Sequence, residues 1–266
     1  MGKARTTRRT KQEDQRDPRD IQWAANAAAV NDYNLKRQPP GRNFHLQPKN
    51  ERQQELIDAI NHSEIIIAEA PAGCGKTYIA GSMAAKYLSQ GDVNRIILTR
   101  ANVHVGKSIG LLPGTADDKM EPLLAPILAV LKDRFGDALY GYNRAKKKID
   151  LQPLEYIRGN SFKDVFLIID EAQNLTVEEV QALVTRYESG RILFIGDNFQ
   201  TDIKGLNGLD WLERFAYRNR LNYPVIKFGL EDIVRSDLVK EFLTALYAEK
   251  MAAEGKAEKP QASLLR

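Results

Sequence analysis

The segment APAGCGKT at residues 70–77 decides the fold of this chain. It follows the apolar run EIIIAEA at 64–70, which predicts a strand, and precedes TYIAGSMAAKYLSQ, which predicts a helix ending at Gly91. The run RIILTR at 95–100 predicts a second strand. Strand, glycine-rich loop, helix and strand in this order form the βαβ unit of a parallel sheet.

The glycines of this segment predict a phosphate-binding loop. Their backbones let successive N–H groups curl around phosphates beneath a helix N-terminus. In such a loop Lys76 reaches the β and γ phosphates, and the hydroxyl of Thr77 binds Mg²⁺. Ala70 replaces the first glycine of the usual pattern, which is tolerated if the backbone there does not need positive φ. The residues expected to contact the nucleotide are Ala72, Gly73, Cys74, Gly75, Lys76, Thr77 and Tyr78.

Cys74 is the one cysteine of the chain, so an internal disulfide is excluded. One cysteine and three histidines also exclude a zinc cluster. The place of Cys74 near a helix N-terminus predicts an acidic thiol. Its alkylation would then block nucleotide binding, although the thiol itself is not expected to be catalytic.

Two further apolar runs predict buried parallel strands, DVFLIID at 164–170 and RILFIGD at 191–197. The first run delivers two adjacent carboxylates. Asp170 suits the Mg²⁺ shell, and Glu171 suits the polarisation of an attacking water, which favours hydrolysis over transfer to an acceptor. The alternative is an Asp-Glu pair that only supplies negative charge at a helix N-terminus.

The second run ends in GDNFQ, which places Asp197 and Gln200 just beyond the sheet. From there the Gln200 amide would reach the γ-phosphate or the attacking water. A plain surface turn explains the letters GDN equally well on local grounds. The order of the three strand-end motifs favours the functional interpretation.

Helices are predicted from apolar spacing and capping residues. PKNERQQELIDAI at 48–60 has the spacing of an amphipathic helix. TVEEVQALVTRYESG at 176–190 predicts a helix with Thr176 as N-cap, Glu179 completing a capping box and Gly190 as the stop.

The region from 115 to 150 is less regular. EPLLAPILAVLKDRF at 121–135 has helical spacing, and its prolines, Pro122 and Pro126, indicate a helix start or a kink. NRAKKKIDLQ at 143–152 predicts an exposed loop or hairpin.

Four stretches carry a family resemblance: APAGCGKTYIA, LTRANVHVGKSIGLLPG, LEYIRGNSFKDVFLIIDEAQN and GDNFQTDI. Together they resemble the PhoH family, whose core is similar to the first RecA-like domain of superfamily 1 helicases. The resemblance covers about residues 50–245. It implies an α/β fold with helices on both faces of a parallel sheet, and the binding and hydrolysis of ATP with Mg²⁺. ATP is expected rather than GTP because no NKxD-like signature follows the core.

The same resemblance implies roles for four residues outside the loop. Gln53 would read the adenine edge, although locally it is only a polar helix residue. Arg235 would act as an arginine finger, with surface pairing to Glu231 as the alternative. Arg158 would lie near the nucleotide sensor and Arg100 on a nucleic-acid face, where the neighbouring Ala101 departs from the expected proline.

Composition and charge outline the domains and the location. Residues 1–43 predict a basic, largely disordered arm with a short helix, 44–250 the P-loop NTPase domain and 251–266 a tail. No apolar run approaches the roughly 18 to 20 residues that span a bilayer, and no secretory signal is visible. We therefore expect a cytoplasmic protein without membrane contact.

Two functional hypotheses remain open at this point. The helicase-like core, the basic arm and the lysine run at 146–148 favour a remodeller of single-stranded RNA or DNA. Because one such core is encoded, we expect a homo-oligomer, with a ring as one form of it, in which Arg235 acts on the neighbouring subunit's site. The alternative is an ATP-gated interaction protein that does not act on nucleic acid.

Overall fold

The computed structural model of the chain describes residues 46–101, 116–157 and 161–253. The predicted arm at 1–43 and Arg158 lie outside these ranges. The predicted tail also lies outside them, apart from the end of one helix. None of the described helices combines the length and apolar character needed to cross a bilayer.

The described residues form one six-stranded sheet. Its strands are β1 (Ile65–Glu69), β2 (Arg95–Arg100), β3 (Ile149–Leu151), β4 (Val165–Asp170), β5 (Gly190–Gly196) and β6 (Val225–Lys227). Their order is β3-β2-β4-β5-β1-β6, and all neighbouring pairs are parallel. Glu69 is paired with Gly196 and Arg100 with Asp170, so these strands end at one edge of the sheet.

Helices cover both faces of this sheet, which confirms the predicted α/β fold. They are α1 (Glu51–His62), α2 (Lys76–Gln90), α3 (Ala116–Phe135), α4 (Asp137–Ala145), α5 (Leu154–Ile157), α6 (Val177–Val184), α7 (Gly208–Asn219) and α8 (Asp237–Ala253). One core contains Met83 of α2 and Leu124 of α3, and the other contains Leu212 of α7. Along β4, Phe166 belongs to the first core and Leu167 to the second, because successive strand residues point to opposite faces.

Capping residues set the ends of two helices as expected. α2 begins after Gly75 and ends before Gly91, both with left-handed backbone. The capping box at the start of α6 is present, since Thr176 accepts from the Glu179 N–H and Glu179 accepts from the Thr176 N–H.

The predicted stop of α6 at Gly190 is wrong. The helix ends at Val184, and Gly190 is the first residue of β5. Its φ is 116°, and a Cβ added to it would lie 1.9 Å from the Val165 carbonyl oxygen. Glycine is therefore required here for the close approach of β5 to β4, not for ending a helix.

The predicted loop or hairpin at 143–152 is also wrong. Its first residues finish α4, and Ile149–Leu151 form β3, a buried strand parallel to β2. The burial of Ile149 and Leu151 outweighs the polar composition around them. The prolines predicted to start or kink a helix lie within α3, which begins at Ala116 and so does not start at either proline.

Candidate functional site

The glycine-rich loop joins β1 to α2 at the C-terminal edge of the sheet. Gly73 and Gly75 have φ of 93° and 86°, values that favour glycine. A Cβ on Gly75 would lie 2.8 Å from Gln53 Nε2, and a Cβ on Gly73 would lie 3.1 Å from Arg235 Cγ. Ala70 does not have positive φ, so the chain accommodates alanine at that position.

Lys76 is folded back onto its own loop. Its Nζ donates to the carbonyl oxygens of Ala70 and Pro71, the latter at 3.1 Å. Burial lowers the pKa of Lys76, while the negative charge of Asp197 opposes this shift. The ammonium group is thus shielded from water, and the attraction between it and an incoming anion is stronger than in bulk water.

The carboxylate pair lies at the end of β4, beside the end of β2. Arg100 Nη1 is 3.2 Å from Asp170 Oδ2, and Arg100 Nη2 is 2.8 Å from Glu171 Oε1. Burial raises the pKa of Asp170, and the Arg100 charge acts to lower it. The Arg100 guanidinium is therefore engaged by both acidic side chains of the site, and its place on a nucleic-acid face stays a prediction.

Gln173 is a site residue that the sequence reasoning missed. Its side chain is fully buried, its Nε2 donates to Glu171 Oε2 at 2.7 Å, and its Oε1 accepts from the Asp197 N–H at 3.0 Å. It thereby links the ends of β4 and β5. The signal in the sequence was an amide placed two residues after the carboxylate in DEAQ.

Gln200 ends a short 3₁₀ turn, Asn198–Gln200, after β5. Its Nε2 donates to Asp197 Oδ2 at 2.6 Å and to the Tyr247 hydroxyl at 3.2 Å. Asp197 is buried, and the Tyr247 hydroxyl also donates to it. The structure thus places Gln200 in a hydrogen-bonded group that includes the C-terminal helix α8.

Gln53 lies beneath the loop. Its Oε1 accepts from the Lys49 N–H at 2.8 Å, and its Nε2 donates to the Cys74 carbonyl at 2.9 Å. The side chain is 4% exposed. Both ends of the amide are used within the chain, so the adenine-reading role stays a prediction that would require these bonds to open.

The predicted acidity of Cys74 is wrong. The side chain is fully buried, and burial raises the pKa of its thiol to about 11. Its Sγ lies 3.8 Å from the Gly229 carbonyl oxygen. The thiol points away from solvent, and we no longer expect alkylation to block the site readily.

Arg235 lies against the loop of its own chain, with its side chain beside Gly73. The backbone N–H of the preceding residue, Val234, donates to the Gly73 carbonyl at 3.1 Å. Within the described residues Arg235 forms no ion pair with Glu231, so that alternative is not realised. The placement favours action of Arg235 on the site of the same chain over action on a neighbour's site.

Tyr78 lies on the rim of the site and is 46% exposed. Its hydroxyl accepts from Arg134 Nη2 at 2.5 Å, and the Arg134 guanidinium carbon lies 5.0 Å from the ring centroid. Arg134 also donates to Ser82 at 3.0 Å. The ring is therefore held by a buried arginine of α3, with part of its surface left accessible.

These elements surround a cavity of about 420 Å³. Of the residues predicted to form the site, it is lined by Ala72, Gly73, Cys74, Gly75, Lys76, Thr77, Tyr78, Asp170, Glu171, Gln200 and Arg235. Arg100, which was predicted elsewhere, also lines it, whereas Gln53 does not. The cavity therefore brings together the glycine-rich loop, three cationic side chains and a carboxylate pair.

The chain is similar to known proteins. A family model described as "PhoH-like protein" matches residues 45–247. The chain belongs to the PhoH-like family. It is 36% identical over 211 residues to the PhoH-like protein of Mycobacterium leprae (strain TN), which covers 77% of this chain and 59% of the relative. It is 36% identical over 203 residues to Protein PhoH of Escherichia coli (strain K12), covering 74% and 57%.

A third relative in the PhoH-like family is the PhoH-like protein of Bacillus subtilis (strain 168), which is 32% identical over 202 residues and covers 75% of this chain and 63% of the relative. The chain thus spans less than two thirds of the length of each of these relatives. Among solved structures, a large terminase from a thermophilic bacteriophage matches with a TM-score of 0.49 and 14% identity, covering 76% of this chain and 51% of the terminase.

Proposed function

We propose that this PhoH-like protein hydrolyses ATP with the help of Mg²⁺. One observation carries the proposal: Lys76, Thr77 and the Asp170–Glu171 pair converge on one cavity at the C-terminal edge of a parallel sheet. Open α/β sheets bind their ligands at this edge. The membership of the family and the glycine-rich loop support a nucleoside triphosphate as the ligand.

The oxygen donors of the cavity fit Mg²⁺. The Thr77 hydroxyl and the Asp170 carboxylate both line it. Mg²⁺ takes few protein ligands and completes its shell with water and phosphate oxygens. When bound, it would neutralise the negative charge of the phosphates.

The residues that line the cavity would then have different roles in binding and hydrolysis. The loop N–H groups and Lys76 bind the β and γ phosphates, and Lys76 exchanges its loop carbonyls for phosphate oxygens. Glu171, oriented by Arg100 and Gln173, polarises the water that attacks the γ-phosphate in line. Arg235 offers a further positive charge to the transition state.

Substitution of Lys76 tests the proposal. Lys76→Ala is expected to abolish detectable phosphate release from ATP and to weaken ATP binding, because it removes the main cation facing the phosphates. Lys132→Ala is the matched control, since Lys132 is exposed and does not line the cavity. Full turnover by Lys76→Ala, measured beside this control, would overturn the assignment of the loop.

We further propose that hydrolysis is coupled to single-stranded RNA or DNA. The lysine run 146–148 is exposed and supports this proposal. Lys147 Nζ lies within 4 Å of carboxylate oxygens of Asp117 and Asp150, so part of its charge is balanced within the chain. The second candidate is an ATP-gated interaction protein. Stimulation of the ATPase rate by single-stranded polynucleotides would favour the first, and an unchanged rate with several polynucleotides would favour the second.

Assembly into a homo-oligomer is also proposed, and a face of α8 supports it. Leu238, Val239, Phe242 and Leu246 are exposed there by 76%, 40%, 65% and 37%. Contiguous exposed apolar side chains often mark protein interfaces. Sedimentation of the protein with and without ATP, compared with Phe242→Ser, tests this: a wild-type protein that stays monomeric would end the proposal. The cytoplasmic location stays a prediction.

A further inference from the structure

Tyr247 connects the C-terminal helix to the phosphate loop and to the end of β5. It belongs to α8, and its side chain is 3% exposed. Its hydroxyl is 3.3 Å from the Ala72 backbone nitrogen and 3.2 Å from Gln200 Nε2, and it lies closest to Asp197 Oδ2. Three separate parts of the site therefore meet at one hydroxyl group.

The direction of each hydrogen bond follows from the chemistry of the groups. The Tyr247 O–H donates to Asp197 Oδ2. Burial, together with the hydrogen bond to Asp197, raises the pKa of Tyr247 to about 12, and the hydroxyl keeps its proton at neutral pH. Its oxygen is then left to accept from the Ala72 N–H and from the Gln200 amide nitrogen.

The hydrogen bonds of Gln200 show which group of its amide is already used. The amide nitrogen has two hydrogens, and both are directed at Asp197 and Tyr247. The group that remains is the carbonyl oxygen Oε1, which can accept from a water molecule but cannot donate to a phosphate oxygen. In this arrangement Gln200 suits the orientation of the attacking water rather than contact with the γ-phosphate.

The hydrogen bonds continue from Asp197 to the carboxylate pair. The Asp197 N–H donates to Gln173, and Gln173 donates to Glu171. A change at Tyr247 would therefore affect the loop through Ala72 and would affect Gln200 directly. It would reach Glu171 through Asp197 and Gln173. The aromatic ring itself packs inside the protein, so the hydroxyl can be removed without opening a large cavity.

We infer that Tyr247 is a positioning residue for hydrolysis. Its hydroxyl holds the loop at Ala72 and orients Gln200 toward the attacking water. The position of α8 thereby sets the rate of turnover. The inference rests on the proposed ATPase function. It adds to that function a control point in a helix that no phosphate-binding motif includes.

Tyr247→Phe tests the inference, with Tyr87→Phe as the matched control. The Tyr87 hydroxyl is also buried and donates to one backbone carbonyl, that of Ile60 at 3.2 Å. Ile60 does not line the cavity, whereas the partners of Tyr247, namely Ala72, Gln200 and Asp197, all do. We expect Tyr247→Phe to lower kcat by about 10- to 100-fold, as when a hydrogen bond that orients a reacting group is lost. We expect the KM for ATP to change by less than about threefold, because Lys76 and the loop glycines remain.

A second measurement needs no nucleotide. Amide hydrogen exchange of a peptide covering residues 70–77 should be faster in Tyr247→Phe than in wild type and unchanged in Tyr87→Phe, because only the first loses the partner of the Ala72 N–H. Equal kcat and equal exchange in Tyr247→Phe and wild type would overturn the inference. So would a fall of kcat as large in Tyr87→Phe. If the wild-type protein hydrolyses no ATP, the proposed function fails, and the exchange experiment still decides whether Tyr247 holds the loop.

Discussion

The phosphate loop and the carboxylate edge of the site are held in different ways. The loop is held at its backbone atoms: Gly73 and Gly75 have positive φ, and the loop's peptide groups bond to Gln53, Val234 and Tyr247. The carboxylate edge is fixed by side chains, with Arg100 between two acidic groups. Backbone bonds shape a surface for phosphates, whereas the charged side chains tune reactivity. We therefore expect loss of the Gln53 side chain beneath the loop to alter mainly the affinity for ATP, and changes at the carboxylate edge to alter mainly turnover.

The largest expected effect is at the carboxylate edge. Glu171→Gln should lower kcat by about 10² to 10⁴, because the water loses the carboxylate that polarises it. ATP affinity should stay near that of wild type, since Asp170, Thr77 and Lys76 are kept. Single-turnover hydrolysis and equilibrium binding of ATP measure the two quantities separately. Glu178→Gln, on the exposed side of α6, serves as the control. If the affinity for ATP fell as much as turnover, Glu171 would act in nucleotide binding rather than in catalysis.

A smaller effect is expected from Arg100, and it depends on pH. Burial raises the pKa of Asp170, and Arg100 opposes this. Asp170 must be ionised to bind Mg²⁺, so activity should fall on the acid side as this carboxylate takes up a proton. In Arg100→Ala the pKa of Asp170 should rise further, and the acid limb of the pH–rate profile should move to higher pH.

The control for this experiment is Arg95→Ala, on the same strand. Arg95 lies at the other end of β2 and does not line the cavity. Its Nη1 is 3.8 Å from Asp150 Oδ2. An acid limb that stays in place in Arg100→Ala would show that the arginine only orients the carboxylates. Excess Mg²⁺ should partly restore the wild-type profile, because the metal competes with the proton for Asp170.

The smallest expected effect is at the loop. Gln53→Ala removes the hydrogen bond to the Cys74 carbonyl and should raise the KM for ATP by about two- to tenfold, the usual range for one lost hydrogen bond. The value of kcat should change little. Gln54→Ala is the neighbouring control, since Gln54 is exposed and its side chain bonds only to Asp58 among described partners. A reduced preference for ATP over GTP in Gln53→Ala would instead support the adenine-reading role.

The sequence predicted well the features that depend on neighbours along the chain. The strands β1, β2, β4 and β5, the loop and the capping box at Thr176 all follow from short patterns of residues. They were predicted because strand periodicity, glycine backbone freedom and capping act over a few residues. The cavity shows that the residues predicted from these patterns, including Lys76 and Asp170, do come together.

The features that were missed depend on contacts between distant segments. Arg100 contacts a carboxylate that follows it by 70 residues, and Tyr247 contacts Asp197, which precedes it by 50. β3 has only three residues, too few for a periodic signal, and becomes a strand by pairing with β2. Gly190 was assigned to the wrong element because its need for glycine comes from the Val165 carbonyl across the sheet.

The burial of Cys74 has a practical consequence for labelling. This residue is the one cysteine of the chain, and its thiol is inaccessible and hard to ionise. A maleimide dye reacts with an accessible thiolate. A cysteine introduced at an exposed position, for example in place of Tyr217, which is 87% exposed, would therefore take up the dye without prior replacement of the native residue. Fluorescence from such a probe could follow subunit association, with the native loop sequence left intact.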